Sequence, residues 1–185
     1  MRLRRRLLTQ SVIVAVVAAV AIGWWTSRDG SENYVLDSTV GSIALNKISE
    51  GTTLAVVDLE DSQSNLISTE TWLGEPLLVN FWFSTCEPCR REFPVLVKAD
   101  ERYPGLRFIG VNLNDTPERA AAFAAEFGAE FETFFDRDGR LTSAMGVATA
   151  PVTLLIDAGG VVRRQITGEV TATMLDKAIA EVFPS

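Results

Sequence analysis

Leu77-Leu-Val-Asn-Phe-Trp-Phe-Ser-Thr-Cys-Glu-Pro-Cys-Arg-Arg-Glu-Phe-Pro94 changes character halfway along. Leu77 to Phe83 is an apolar run suited to a central, doubly covered strand. Beyond it the spacing predicts a helix that begins at the cysteines and runs to about Glu101. Pro88 fits its opening turn, where a missing N–H costs nothing. Two cysteines separated by two residues at a helix N-terminus can close a disulfide, and the helix dipole and free N–H groups favour the thiolate of the first. Cys86 is therefore expected as the exposed nucleophile. Its attack on a partner's disulfide would give a mixed disulfide, which Cys89 would resolve. As a mere clip, a bridge across so short a loop would stabilise little.

Such exchange needs a group that moves protons. The chain contains no histidine, which excludes Ser-His-Asp and Cys-His hydrolase arrangements, histidine zinc sites and a histidine haem ligand in cis. Its 2 cysteines are too few for a four-thiolate metal site, and no cofactor or metal is expected. Glu92 lies three residues after Cys89, so helical spacing puts it on that cysteine's side. Partial burial there would raise its pKa and suit it to accept and return the resolving thiol's proton. Glu87, between the cysteines, is expected to face solvent, where its charge opposes thiolate formation at Cys86. The bland alternative makes both glutamates part of a solvated face paired with Arg90 and Arg91.

Working outward, Leu54–Leu59 reads as a strand, Glu60 to Asn65 as a turn, and Leu66-Ile67 as its hairpin partner, before a short helical turn that stops at Gly74. After the dithiol helix, Leu106–Asn112 reads as a strand. Asp115-Thr-Pro-Glu118 then supplies an N-cap, an early proline and an acidic first turn for a helix reaching Phe127 and stopping at Gly128. Phe131–Phe135 is expected as strand, Asp136 to Gly139 as a turn, and the next residues as a short helix ending near Gly146. Val152–Ile156 and Val161–Ile166 form a hairpin around Asp157-Ala-Gly-Gly160, and Thr171 caps a last helix to about Phe183. This order describes an α/β fold, a mixed central sheet flanked by helices.

The N-terminus differs. Arg2, Arg4, Arg5 and Arg6 precede an uncharged stretch from Leu7 to Ser27. As a helix, about 20 residues suffice to cross the hydrocarbon core of a bilayer. The arginines keep the N-terminus cytoplasmic and send the rest outside, with Trp24 and Trp25 at the far interface. Residues 1–28 are thus expected as a basic segment and transmembrane signal-anchor, 29–50 as a linker, and 51–185 as the folded domain. Cleavage after Ala19-Val20-Ala21 is the competing reading, and it leads to the same compartment. With these four and Arg28 set aside, 12 of the 17 basic residues remain against 24 acidic ones. A domain so acidic is a poor nucleic-acid binder.

The Cys86-Glu-Pro-Cys-basic-basic-Glu-Phe-Pro94 run resembles the thioredoxin superfamily, specifically the membrane-tethered TlpA/ResA/CcmG group of bacterial thiol–disulfide oxidoreductases. The similarity extends over about residues 50–183 and includes Gly146 to Asp157. It implies a thioredoxin-like fold, a cis peptide at Pro151 beside the dithiol, backbone near Ala150 that pairs with a bound partner chain, a catalytic acid at Glu92, a helix-kinking proline at Pro94, and a strand-helix insertion around residues 112–135. Two positions depart from the superfamily pattern. Thr85 stands where tryptophan usually precedes the first cysteine, and Asn80 replaces the buried aspartate of thioredoxins, leaving proton handling to Glu92.

The resemblance implies a reductant of disulfides in exported proteins such as apocytochrome c, recharged by a CcdA- or DsbD-like membrane thiol donor. Thr85, Glu87, Pro88 and Thr149 to Pro151 are the residues expected around the bound client. Two alternatives stand beside it: a disulfide oxidase or isomerase, and a non-enzymatic module that binds Cu(I) through the two thiolates.

Overall fold

The computed structural model describes residues 45–184. The expected membrane anchor and most of the expected linker lie outside them. Among the described residues no helix is long and apolar enough to cross a membrane.

Seven strands form one mixed sheet: β1 (Asp58–Glu60), β2 (Leu66–Ser68), β3 (Leu77–Trp82), β4 (Arg107–Asn112), β5 (Glu132–Phe135), β6 (Val152–Ile156) and β7 (Val162–Thr167). Their spatial order is β2-β1-β5-β4-β3-β6-β7. The pairs β3/β4 and β4/β5 are parallel, whereas β3/β6 and β6/β7 are antiparallel. Among the described residues four α-helices, α1 (Glu87–Arg102), α2 (Pro117–Phe127), α3 (Arg140–Met145) and α4 (Ala172–Val182), and a 3-10 turn at Thr69–Trp72 complete the α/β fold.

All six residues of β3 are buried, so their alternation sorts two cores instead of core from solvent. Leu78 and Trp82 join Phe93, Leu96 and Phe123 on the face covered by α1, α2 and α4. Leu77, Val79 and Phe81 face Trp72, Leu141 and Met145 on the other. Asn80 shares the first face by the same period of two. On α1 the buried positions are Cys89, Glu92, Phe93, Leu96 and Ala99, a stripe of helical spacing in which a carboxyl occupies a core position. Pro94 stands within that helix.

Three local expectations change. The strand expected over Leu54–Leu59 is regular only at Asp58–Glu60, because the Thr69 hydroxyl donates to the Ala55 carbonyl (2.7 Å) and accepts the Val57 N–H (3.0 Å). A side chain occupies the place of a ladder. Asp115 does not cap α2. Thr116 does, with its hydroxyl accepting the Arg119 N–H, while Asp115 is buried and committed elsewhere. Residues 46–50, expected as linker, are hydrogen-bonded to the domain through Gly146, Ala148, Thr149 and Gln165. The α2 helix and β5 occupy the region in which the insertion was expected.

Candidate active site

β3 ends at Trp82 and α1 begins at Glu87, so four residues carry the chain from the sheet to the helix N-terminus. Trp82 packs against Phe93 and Phe123 with ring centroids 4.9 and 5.0 Å apart, which fixes both ends of that connection to one aromatic cluster. Asp115 fixes its middle: one carboxylate oxygen accepts the Ser84 N–H and the other the Ser84 hydroxyl, both at 2.6 Å. The Asn112 amide donates to the same carboxylate at 2.8 Å.

Cys86 is the N-cap of α1, its sulfur accepting the Cys89 N–H at 3.2 Å, and the two cysteines are joined as a disulfide. The N-cap position gives that sulfur the positive end of the helix and a donor that would stabilise a thiolate. Cys86 is less exposed than expected, at 6%, but Cys89 is fully enclosed at 0%. Of the two, Cys86 alone keeps some exposed surface, so the geometry favours it over Cys89 as the group that meets a partner's disulfide. Thr85 and Glu87 are exposed and Pro88 half-buried, so these three rim the approach.

Glu92 is 0% exposed, one helical turn beyond Cys89. One carboxylate oxygen accepts the Asn80 side-chain N–H and the other the Val170 backbone N–H, each at 2.9 Å. Burial pushes its pKa up from the ordinary 4.5 to about 7, against the two hydrogen bonds, which favour the charged form, and with slight help from Glu169. The group is poised to lose and regain a proton near neutrality. Asn80 also donates to the Thr153 hydroxyl at 3.0 Å, while its own amide oxygen is buried without a partner. Asn80 thus supports the titrating group without titrating. The solvated pairing with Arg90 and Arg91 does not form: Arg90 pairs with Glu126 and lies over Phe123 and Phe127, and Arg91 pairs with Glu169.

The Ala150-Pro151 peptide is cis. Phe81 pairs with Val152, so the turn after β3 and the loop before β6 leave the same end of adjacent strands. Ala150 packs against the cluster that contains both cysteines, and Ala148 and Thr149 are exposed beside it. Of the residues singled out from sequence, Thr85, Glu87, Pro88 and Ala150 keep exposed surface at this end of the sheet, whereas Cys89, Glu92 and Pro151 are buried. Four contributors were not legible: Thr153 and the Val170 N–H, brought in by tertiary contacts, Asp115, whose pattern imitates a helix cap, and Ser84. Among the described residues no cluster of three or more metal-ligating side chains occurs.

The sequence model of the Redoxin family matches residues 45–182. The chain is 28% identical over 189 aligned residues to the thiol-disulfide oxidoreductase ResA of Geobacillus thermodenitrificans, covering 100% of both chains. It is 30% identical over 130 residues to ResA of Bacillus subtilis, covering 69% of this chain and 73% of that one. Among solved structures, a thiol:disulfide interchange protein DsbE of Chlorobium tepidum superposes with a TM-score of 0.65 at 28% identity, over 73% of this chain and 98% of the other.

Proposed function

The chain belongs to the Redoxin family and is a thiol-disulfide oxidoreductase of the thioredoxin fold; from that premise we propose that it is a membrane-anchored reductant of disulfides in exported proteins, with apocytochrome c the client. The observation that carries the direction is Glu87, exposed between the two cysteines. Its negative charge opposes the thiolate at Cys86. A strong oxidant stabilises its reduced form, and Glu87 offsets part of the stabilisation that the helix N-terminus gives that thiolate.

In the proposed cycle the Cys86 thiolate attacks one sulfur of the client's disulfide. A mixed disulfide forms and the client's other sulfur leaves as a thiolate. Cys89 passes its proton to Glu92 and attacks the Cys86 sulfur, and the client's second thiolate departs and takes up a proton. Two electrons have moved from the dithiol to the client, and the disulfide left behind is the oxidised form described above. A membrane thiol donor of the CcdA or DsbD kind returns the electrons. The four early arginines and the apolar stretch that follows support a tether with the domain on the extracytoplasmic side.

The test is a Cys89→Ser chain expressed in cells, with partners recovered as mixed disulfides through Cys86. Cytochrome c precursors carrying Cys-x-x-Cys-His should be among them; absence of any adduct would exclude the exchange mechanism. The potential of the purified domain separates reductant from oxidase, and a value near about −120 mV, that of a strong oxidant, would reverse the assigned direction.

A further inference from the structure

Asn46 belongs to no regular element, yet its side chain spends every polar atom on one loop. Its amide oxygen accepts the N–H groups of Ala148 (2.6 Å) and Thr149 (2.8 Å). Its amide nitrogen donates to the Thr149 carbonyl (3.1 Å) and hydroxyl (3.0 Å). The next residue, Lys47, donates its N–H to the Gly146 carbonyl at 2.8 Å. Gly146 has a positive φ of 68°, and a Cβ there would stand 2.7 Å from the Lys47 Cβ, so the segment and the loop are in close contact. On its other side the segment is held to β7: the Ser49 N–H and hydroxyl both donate to the Gln165 side-chain oxygen at 2.7 Å, and the Gln165 amide donates to the Lys47 carbonyl at 2.9 Å.

The loop so gripped leads directly into Ala150-Pro151. Ala148 and Thr149 are exposed, and an exposed loop without internal bonds samples many conformations that a partner must pay to restrict. Three bonds from one amide hold three successive peptide units in a single orientation, and a fourth holds the Thr149 hydroxyl. Ala150, immediately after them, makes no backbone hydrogen bond through its N–H or carbonyl among the described residues. These are the groups to which an extended partner chain adds as a strand.

We propose that Asn46 is a positioning residue for client docking: it presets the Ala148–Ala150 backbone so that the client's main chain meets an ordered edge. This rests on the reading of Ala150-Pro151 as the docking loop. Pre-organisation of this kind appears in binding, not in the exchange chemistry.

The experiment compares wild type with Asn46→Ala and Asn46→Asp, each as the full chain, on two substrates. One is a peptide with a disulfide-bonded Cys-x-x-Cys-His, which has a main chain to pair; the other is 5,5′-dithiobis(2-nitrobenzoate), which has none. Asn46→Ala should raise KM for the peptide about three- to tenfold at similar kcat, the scale of roughly one net hydrogen bond. The peptide-to-aryl-disulfide specificity ratio falls by the same factor. Asn46→Asp keeps acceptors for both N–H groups but sets a carboxylate oxygen against the Thr149 carbonyl, so it should recover only part of the loss. Amide exchange at Ala148 and Thr149 should accelerate in Asn46→Ala, a readout independent of turnover. An unchanged peptide KM in Asn46→Ala, or an equal loss on both substrates, would overturn the assignment. Ala150→Pro deletes the N–H offered to the client. If it raises the peptide KM while Asn46→Ala does not, only the role of Asn46 is wrong; if neither changes KM, the docking loop is misassigned and the role of Asn46 falls with it.

Discussion

In the proposed cycle Glu92 carries the resolving thiol's proton and Asn80 supports it without titrating, and this division can be tested at each. With its pKa near 7, Glu92 is about half ionised at neutral pH, which suits a base that must return its proton within the same cycle. Glu92→Gln should slow resolution of the mixed disulfide by about 100-fold and remove the inflection near pH 7 from its rate, measured by single-turnover release of a fluorescent thiol. The substituted amide keeps an acceptor for the Val170 N–H, and Asn80 can turn its unpartnered oxygen toward the new donor. A loss confined to the proton step is therefore expected. Asn80→Asp makes the opposite change. It would set a second carboxyl where the amide now donates at 2.9 Å, and two like charges that close cannot both ionise. The inflection should move up by on the order of one unit, and it would then belong to the pair and not to Glu92 alone. An unmoved inflection would mean that Glu92 is not the titrating group.

At the scale of elements, β3 and α1 were legible because their signals are local: an apolar run of strand length, then a dithiol and a proline at a helix start. Glu92 was legible in its helical position but not in its partners: the Val170 N–H arrives from the loop before α4, and Asn80, whose amide also donates to Thr153 of β6, arrives from β3. Asp115 departs from its sequence pattern for a physical reason. An aspartate before Thr-Pro-Glu has the pattern of a cap, yet the neighbouring Thr116 also satisfies that pattern, and only the fold shows that Ser84 competes for the carboxylate. The strand ahead of Asp58 failed because Thr69, distant in sequence, bonds the backbone that a ladder would have used. Sheet packing also yields a prediction. A Cβ on Gly110 of β4 would stand 2.7 Å from the Trp82 indole nitrogen, 3.2 Å from the Thr133 hydroxyl and 3.3 Å from the Phe131 ring. None of these is the free end of a flexible chain. Gly110→Ala should cost about 1–3 kcal/mol in urea unfolding. Because Trp82 immediately precedes the active turn, it should disturb exchange as well, whereas a change in stability alone would show that the turn is insulated from the sheet.

The molecule as a whole carries the buried carboxyl as a thermodynamic cost, and pH reveals it. A carboxyl raised from 4.5 to about 7 on folding binds more proton in the folded than in the unfolded state between those values. Stability from this group is therefore greatest below pH 4.5, falls as pH rises toward 7, and levels off above. Other carboxyls act in the opposite sense. Asp157 is held below its ordinary value chiefly by the Val161 N–H, and Asp61 by the Asn65 side chain. Groups of that kind lose their contribution as pH falls through their lowered values, so wild type alone gives a composite curve. The difference between Glu92→Gln and wild type cancels what they share. It should change in the variant's favour by on the order of 3 kcal/mol between pH 4.5 and 8, with nearly all of the change below about pH 7.5, followed by urea denaturation of the oxidised proteins at fixed ionic strength. A flat difference would place Glu92 in contact with water. The same burial that encloses Cys89 and favours attack at Cys86 sets this cost, so a variant that opens the face over Glu92 should gain stability at pH 8 while losing the inflection near pH 7 in its rate.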